Sequence, residues 1–287
     1  MKKFDYYQPK TLKDAYSLME KSKGRAKYIA GGTDLIVNIK NRFIQPDAVI
    51  SLRRVMEISG ISRNGDLVLG SMTLLRDIER DTNIAQNHPA LTQAVKALAT
   101  PQIRNVATVG GNLCNAAPSA DCAPPLLIME ASLTLEGPGG QREVAVEDFF
   151  KGPGQTCMDT SEILTRIRIP PLMEKTRMAF LKVGRVSTDI AIVNAAVCVT
   201  VEKNVCKKCR LAVGAVAPVP LRLRSVEKMI EGHEISPELL NRAGKMVGDE
   251  VDPITDVRST EEYRRIMSGV LVKRAIEQAI KGMEEKR

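Results

Sequence analysis

The chain has no tryptophan and two histidines, His88 and His233, among 287 residues. Neither histidine has a second plausible metal ligand nearby in the sequence, so a multi-histidine zinc enzyme or a Ser-His-Asp hydrolase finds no support. No G-x-G-x-x-G follows an expected strand and no P-loop is present, which removes the Rossmann and nucleoside-triphosphate readings. Aromatic residues are few, five Phe and five Tyr. With no basic stripe interleaved with stacking rings, nucleic-acid binding is not expected. The longest apolar stretch, 190–201, is interrupted by Asn194 and Thr200 and is too short for a membrane span. Met1-Lys2-Lys3 leads into Phe4-Asp5-Tyr6 rather than an apolar signal core. Six cysteines without a secretion signal predict a reducing, cytoplasmic setting rather than a disulfide framework.

What is present is an ordinary globular balance, 44% hydrophobic and 26% charged, with a net charge of +8 spread along the chain. That charge suits an acidic partner or an anionic ligand. Thr11 is expected to cap a first helix with Leu12, Ala15, Tyr16 and Met19 on its apolar face. Residues 26–30 read as a buried strand entering a second helix that starts at Thr33. Asn64-Gly65 joins two strands in the strongest hairpin signal of the sequence. Two further helices are expected to begin at Thr73 and Pro89. From 100 to 125 neither period is sustained, and a long irregular segment inside a compact domain is usually functional. Pro170-Pro171 marks a boundary, placing one domain over 1–172 and another over 173–287. The second opens with long strands, and Val193, Ala195, Val197, Val199 and Val201 share a face that suits a sheet packed on one side. Helices follow at 225–231, 236–247 and 260–284. Mixed strands and helices, then a sheet, then helices, make this an α+β chain with no βαβ array.

Two glycine-rich loops carry the chemistry. Ala30-Gly31-Gly32-Thr33-Asp34-Leu35 sits at a strand-to-helix junction, and Thr108-Val109-Gly110-Gly111-Asn112 lies in the irregular segment. Paired glycines let backbone N–H groups approach a ligand, and Thr33 and Asn112 add side-chain donors, so the two together could hold a dinucleotide diphosphate. Each alone reads more readily as a common turn. Asp34 reads also as a first-turn carboxylate favouring a helix dipole. Cys206-x-x-Cys209 is expected at a hairpin tip, and no second pair is spaced to complete a zinc site.

Taken in order, these segments resemble the flavin subunit of the molybdenum hydroxylases, the xanthine dehydrogenase and carbon monoxide dehydrogenase family. Its pattern is A-G-G-T-D-L, then T-[IV]-G-G-N, then [AS]-P-x-[AS]-D, here ending in Ala117-Pro118-Ser119-Ala120-Asp121. Glu162-Ile163-Leu164, Phe180-Leu181-Lys182, Asp189-Ile190-Ala191 and Gly214-Ala215-Val216-Ala217-Pro218 continue the likeness over essentially the whole chain. The resemblance implies a two-part FAD-binding domain of the vanillyl-alcohol-oxidase-like type, followed by a smaller domain of antiparallel sheet plus helices. It implies that Ala30, Gly31, Gly32, Thr33, Asp34 and Leu35 bracket the FAD diphosphate with Thr108, Gly110, Gly111 and Asn112. Asp121 then binds the adenosine ribose, Leu164 walls the flavin, Lys182 lies beside the polar edge of the ring and Ile190 covers the face an acceptor approaches. Read without it, Leu164 and Ile190 are strand-core residues and Lys182 a solvated lysine. No histidine stands in the first loop, so non-covalent FAD is expected. The partners implied are a molybdenum-cofactor large subunit and a [2Fe-2S] small subunit, with NAD or another external electron acceptor. A further iron–sulfur cluster near Cys114 and Cys122, as in chains resembling 4-hydroxybenzoyl-CoA reductase, is not expected, because the insertion that carries it is absent. The rival expectation is a stand-alone flavin reductase of the same superfamily, for which no compact set of basic residues and proton donor is seen.

Overall fold

The computed structural model describes residues 2–284. Thr11 caps the helix Leu12–Lys21 by accepting from the Asp14 N–H, and that helix covers a three-stranded parallel sheet of Asp5–Tyr7, Ala48–Ser51 and Ala26–Ile29, with Ala48–Ser51 in the middle. The expectation of no βαβ array is corrected here, because helices connect these successive parallel strands. A five-stranded antiparallel sheet follows, ordered Ile61–Asn64, Asp66–Gly70, Ile163–Ile169, Ser132–Gly137, Gly140–Ala145. The segment expected to be irregular instead folds into three short helices, Pro101–Arg104, Val109–Cys114 and Ala123–Ile128. They are too short to show an apolar period. Likewise, three helices occupy 75–97 where two were expected, because Asp81 caps the extra one, Thr82–Asn87, by accepting from the Ile84 N–H.

The third sheet is antiparallel and ordered Thr176–Val183, Val193–Glu202, Val205–Gly214, Leu221–Arg222. The expectation that it packs on one side is corrected. Every residue of Val193–Glu202 except the last is buried. Ala179, Val193, Ala195, Val197, Val199, Leu211 and Val213 belong to the core beneath the C-terminal helices. Met178, Phe180, Ala196, Cys198 and Ala212 belong to the core of the N-terminal region. Small residues on the second face let the helices Pro89–Ala97 and Ala123–Ile128 settle on it. The turn Lys203-Asn204 precedes both Cys206 and Cys209, so neither is at the hairpin tip. A register shift opposite Thr200 and Val201 brings the two thiols into the same core, both buried.

The long helix Glu261–Glu284 is packed on one side rather than free all round. Leu271, Val272, Ala275 and Ile276 bury one face on the sheet and on the helix Pro237–Glu250. At their crossing Gly269 faces Gly244, where a Cβ on Gly269 would overlap the Gly244 carbonyl. Arg264, buried in its first turns, donates to the carbonyls of Ile192 and Ala215 at 2.8 and 2.9 Å and to Asp256 at 2.8 Å. No described helix is long and apolar enough to cross a membrane.

Partial burial would raise the Asp256 carboxyl, but the Arg258 N–H and the Arg264 guanidinium outweigh it and hold it at about 2 instead of 3.8. A carboxyl depressed on folding stabilises fully above its unfolded value and loses that contribution as pH falls through its folded value. We therefore expect Asp256→Asn to cost on the order of 1 kcal/mol at neutral pH. The gap from the parent should narrow below pH 4 and close below pH 2. Urea titrations across that range check it; a gap constant with pH would contradict the charge argument.

Candidate functional site

The strand Ala26–Ile29 leads into Ala30, and the chain turns through Gly31 and Gly32 before the helix Leu35–Lys40. The helix begins at Leu35 rather than Thr33, and the Asp34 side chain makes no cap, so its helix-end reading is not what places it. Among the described residues no protein acceptor is found for the backbone N–H groups of Gly31, Gly32, Thr33, Asp34 and Leu35. Five successive donors without a protein partner are suited to an anion.

The second loop is built differently. Thr108 caps the helix Val109–Cys114, and its Oγ1 accepts from the Gly111 N–H at 3.0 Å. Val109 and Gly110 donate to the carbonyls of Thr73 and Ser71, and Asn112 donates to that of Thr108. Its amides are therefore already committed, which corrects the expectation of a second backbone cradle. The glycines serve close packing. A Cβ on Gly110 would lie 2.7 Å from the Ser71 carbonyl oxygen, and one on Gly111 would lie 3.5 Å from Ala30 Cβ, across the gap to the first loop. Asn112 accepts from the Cys122 N–H at 3.3 Å, which leaves its amide N–H groups for a ligand.

Between the loops runs a cleft of about 640 Å³, within the range of cofactor sites. All fourteen residues named from the sequence line it: Ala30 to Leu35, Thr108, Gly110, Gly111, Asn112, Asp121, Leu164, Lys182 and Ile190. Leu164 is buried in the strand Ile163–Ile169 at a register irregularity, while Ile190 is about half exposed at the rim. Neither His88 nor His233 reaches the cleft.

Two expectations fail on one contact. Lys182 is not solvated: its side chain is 6% exposed, and its ammonium donates to Asp121 Oδ2 at 2.7 Å and to the Ala97 carbonyl at 2.9 Å. Asp121 Oδ1 accepts from Asn194 at 2.8 Å. Asp121 and Lys182 therefore occupy one place, and cannot serve the adenosine ribose and the flavin ring at opposite ends of an extended dinucleotide. With both carboxylate oxygens engaged by protein donors, Asp121 is the counter-ion of Lys182. Burial pushes its carboxyl up, and Lys182 and Asn194 pull it back.

Sequence reasoning missed the segment Leu98-Ala99, which lines the cleft. Arg104, itself buried, forks onto Glu79 and donates to the Leu98 and Ala99 carbonyls at 2.9 and 3.1 Å. Nothing local marks that arginine, because its partner lies 25 residues away. Cys114 faces the cleft beside Met158, with Sγ to Sδ at 3.7 Å. No group of three His, Cys, Asp or Glu side chains is arranged to hold a metal among the described residues.

Comparison with known proteins decides what this cleft belongs to. Residues 2–172 match the FAD binding domain in molybdopterin dehydrogenase, and residues 178–279 match the CO dehydrogenase flavoprotein C-terminal domain. The chain belongs to the flavoprotein subunits of the molybdenum hydroxylases. It is 32% identical to the carbon monoxide dehydrogenase medium chain of Hydrogenophaga pseudoflava over 96% of this chain and 97% of that one. It is 32% identical to the xanthine dehydrogenase FAD-binding subunit of Escherichia coli O157:H7, over 96% and 95%. Its fold superposes on a solved carbon monoxide dehydrogenase from Hydrogenophaga pseudoflava with a TM-score of 0.95 at 31% identity, covering 98% of each chain. On quinoline 2-oxidoreductase from Pseudomonas putida 86 the TM-score is 0.93 at 26% identity, over 98% and 99%. The flavoprotein is thus an oxidoreductase component, and its open donors, cleft volume and facing glycine loops fit FAD.

Because Lys182 is buried, replacing it leaves a carboxylate without its charge partner, which costs about 3–5 kcal/mol. Lys182→Met should lower the melting temperature clearly, contrary to what an exposed lysine would give. Lys182→Met with Asp121→Asn should recover part of the loss. Equal melting of the single variant and the parent would contradict the buried pair.

Proposed function

We propose that this flavoprotein subunit carries FAD non-covalently in the cleft and passes electrons from the [2Fe-2S] centres of a partner chain to an external acceptor such as NAD. The observation that carries the reading is the run of N–H groups without a protein acceptor from Gly31 to Leu35, on residues that line a cleft large enough for a dinucleotide. In this reading that run takes the diphosphate, and Asn112 adds a side-chain donor from the opposite loop. Leu164 and Ile190 offer apolar contact, Ile190 at the rim where an acceptor arrives. Lys182 stands beside the polar edge of the ring and favours negative charge there. FAD, when bound, supplies one- and two-electron chemistry that no side chain of this protein offers. The protein's own part is to bind, orient and set charge; no acid or base catalyst is required.

The chain works, on this proposal, as one member of a cytoplasmic assembly with a molybdenum-cofactor large subunit and an iron–sulfur small subunit. Its domains act as a flavin-binding part, 1–172, and a sheet-and-helix part, 173–287. Support comes from the relatives, which are medium or FAD-binding chains of dehydrogenases. The described residues offer no metal-binding cluster of their own.

Gly111 is the position to probe. Valine there would enter the gap between the loops, meeting Thr108 Oγ1 and Ala30 Cβ rather than backbone. Gly110 is a poorer choice, since valine would strike the Ser71 backbone and damage the fold. We expect Gly111→Val to weaken FAD binding more than tenfold while the flavin-free protein melts within a few degrees of the parent. Undiminished FAD binding in a folded variant would remove the cleft assignment, and flavin retained through acid precipitation would remove the non-covalent part. Purification of the native complex through a tag on this chain should bring out a molybdenum chain and an iron–sulfur chain in equal amounts. If the tagged chain emerges alone and turns over a substrate with nicotinamide cofactor, it is a stand-alone reductase.

A further inference from the structure

On the sheet face that meets the N-terminal region, two polar side chains stand side by side next to the apolar group of Phe180, Ala196 and Ala212. Lys182, Asn194 and Gly214 are register partners on three adjacent strands, so they stand in one row on one face. Asn194 is 0% exposed. Its Nδ2 donates to Asp121 Oδ1 at 2.8 Å, and its Oδ1 has no partner. The amide cannot be turned over to satisfy that oxygen, because an oxygen would then face the carboxylate. Gly214 gives it room: a Cβ there would overlap Asn194 Oδ1, and its φ is not in the left-handed region, so closeness rather than backbone conformation calls for glycine. A buried amide that leaves one end unsatisfied is a poor way to fill a core, and an apolar residue of the same size would pack without that cost. What the amide does achieve is to fix one oxygen of Asp121, leaving the other for Lys182.

Taking the cleft to hold FAD as proposed above, we infer that Asn194 is a positioning residue for the flavin. It keeps the Asp121 carboxylate charged and turned toward Lys182, so that the cofactor meets a compensated pair instead of a bare cation, and Gly214 exists to admit it. Two of the three ammonium protons of Lys182 are spent on Asp121 and Ala97, which leaves one for the cleft that this lysine lines. Without the amide, the carboxylate keeps one donor in dry surroundings and takes up a proton more readily. The charge of Lys182 is then uncompensated, and reduced, anionic flavin is favoured.

The expected result is an upward shift of the flavin midpoint potential in FAD-loaded Asn194→Leu. Its size should be roughly tenfold in the reduction equilibrium, about 30 mV for a two-electron couple. The shift opposes that expected from removing the Lys182 charge, and a merely structural role would not produce it. Gly214→Ala reaches the same contact without altering the amide, by pushing Asn194 off Asp121, and should shift the potential the same way. In an Asp121→Asn background, Asn194→Leu should add nothing. Spectroelectrochemical titration of the loaded variants at neutral pH measures all three. An unchanged potential in either loaded variant, or a full shift persisting without the Asp121 charge, overturns the inference. If Asn194→Leu does not fold, Gly214→Ala decides alone. Failure of the unaltered chain to take up FAD would instead sink the reading on which this rests.

Discussion

Because the strand Val193–Glu202 is buried through all but its last residue, its sheet needs cover on both faces, and different parts of the chain provide it. The C-terminal helices take the branched face of Val193, Val197, Val199 and Val213. The N-terminal region takes the face of Phe180, Ala196 and Ala212, where small side chains allow helices to approach. Separating the two regions would expose that second face to water, at the usual hydrophobic cost per area. Polar links cross the same seam: Phe180 donates its backbone N–H to Gln93 at 2.7 Å, Arg222 reaches the Leu127 carbonyl at 3.1 Å, and Arg210 pairs with Glu130 at 2.6 Å. The cleft opens at this seam, so the side chains lent by the second region, Lys182 and Ile190, are held to the loops of the first by a shared core.

Much of this was legible in the sequence, and for identifiable reasons. Thr11 and the Asn64-Gly65 turn carry their own local instructions, so the first helix and the hairpin stand where expected. The glycine loops could be placed in the cleft because their spacing follows a family pattern, not because a pair of glycines specifies a ligand. What was not legible depends on contacts between distant residues. Alternation in 193–201 shows one apolar face clearly, but Ala196 and Cys198 on the other are too small to announce a second. Lys182 looks like a surface lysine until Asp121, 61 residues earlier, is brought to it. Asn194 looks like an interruption in a strand until its neighbour in space is known.

The two loops show why equal sequence motifs need not do equal work. Both are glycine pairs at the start of a short helix. In the second, Thr108 supplies its own hydroxyl and carbonyl to the amides, and Thr73 and Ser71 take the remainder, so the turn is closed on itself. Its rigidity is useful as a wall. The first has no such internal acceptors, and a buried or cleft-facing N–H without a partner is costly unless water or a ligand supplies one. The free energy left unspent there is available to an anion. Affinity for a diphosphate should therefore rest mainly on the first loop, and the shape of the site on the second.

Charge follows the same division. The first loop offers partial positive charge from backbone dipoles, which no proton exchange removes. Across the cleft the formal charge of Lys182 is tied to Asp121 in surroundings that shield it from water, and buried pairs of this kind are seldom there for stability alone. A fixed dipole suits a ligand whose charge never changes, as a diphosphate does. A side-chain pair whose balance depends on one amide suits a group whose charge changes when electrons arrive. On the proposed reading, site and cofactor are matched part by part: permanent donors for the permanent anion, and an adjustable pair where reduction adds negative charge.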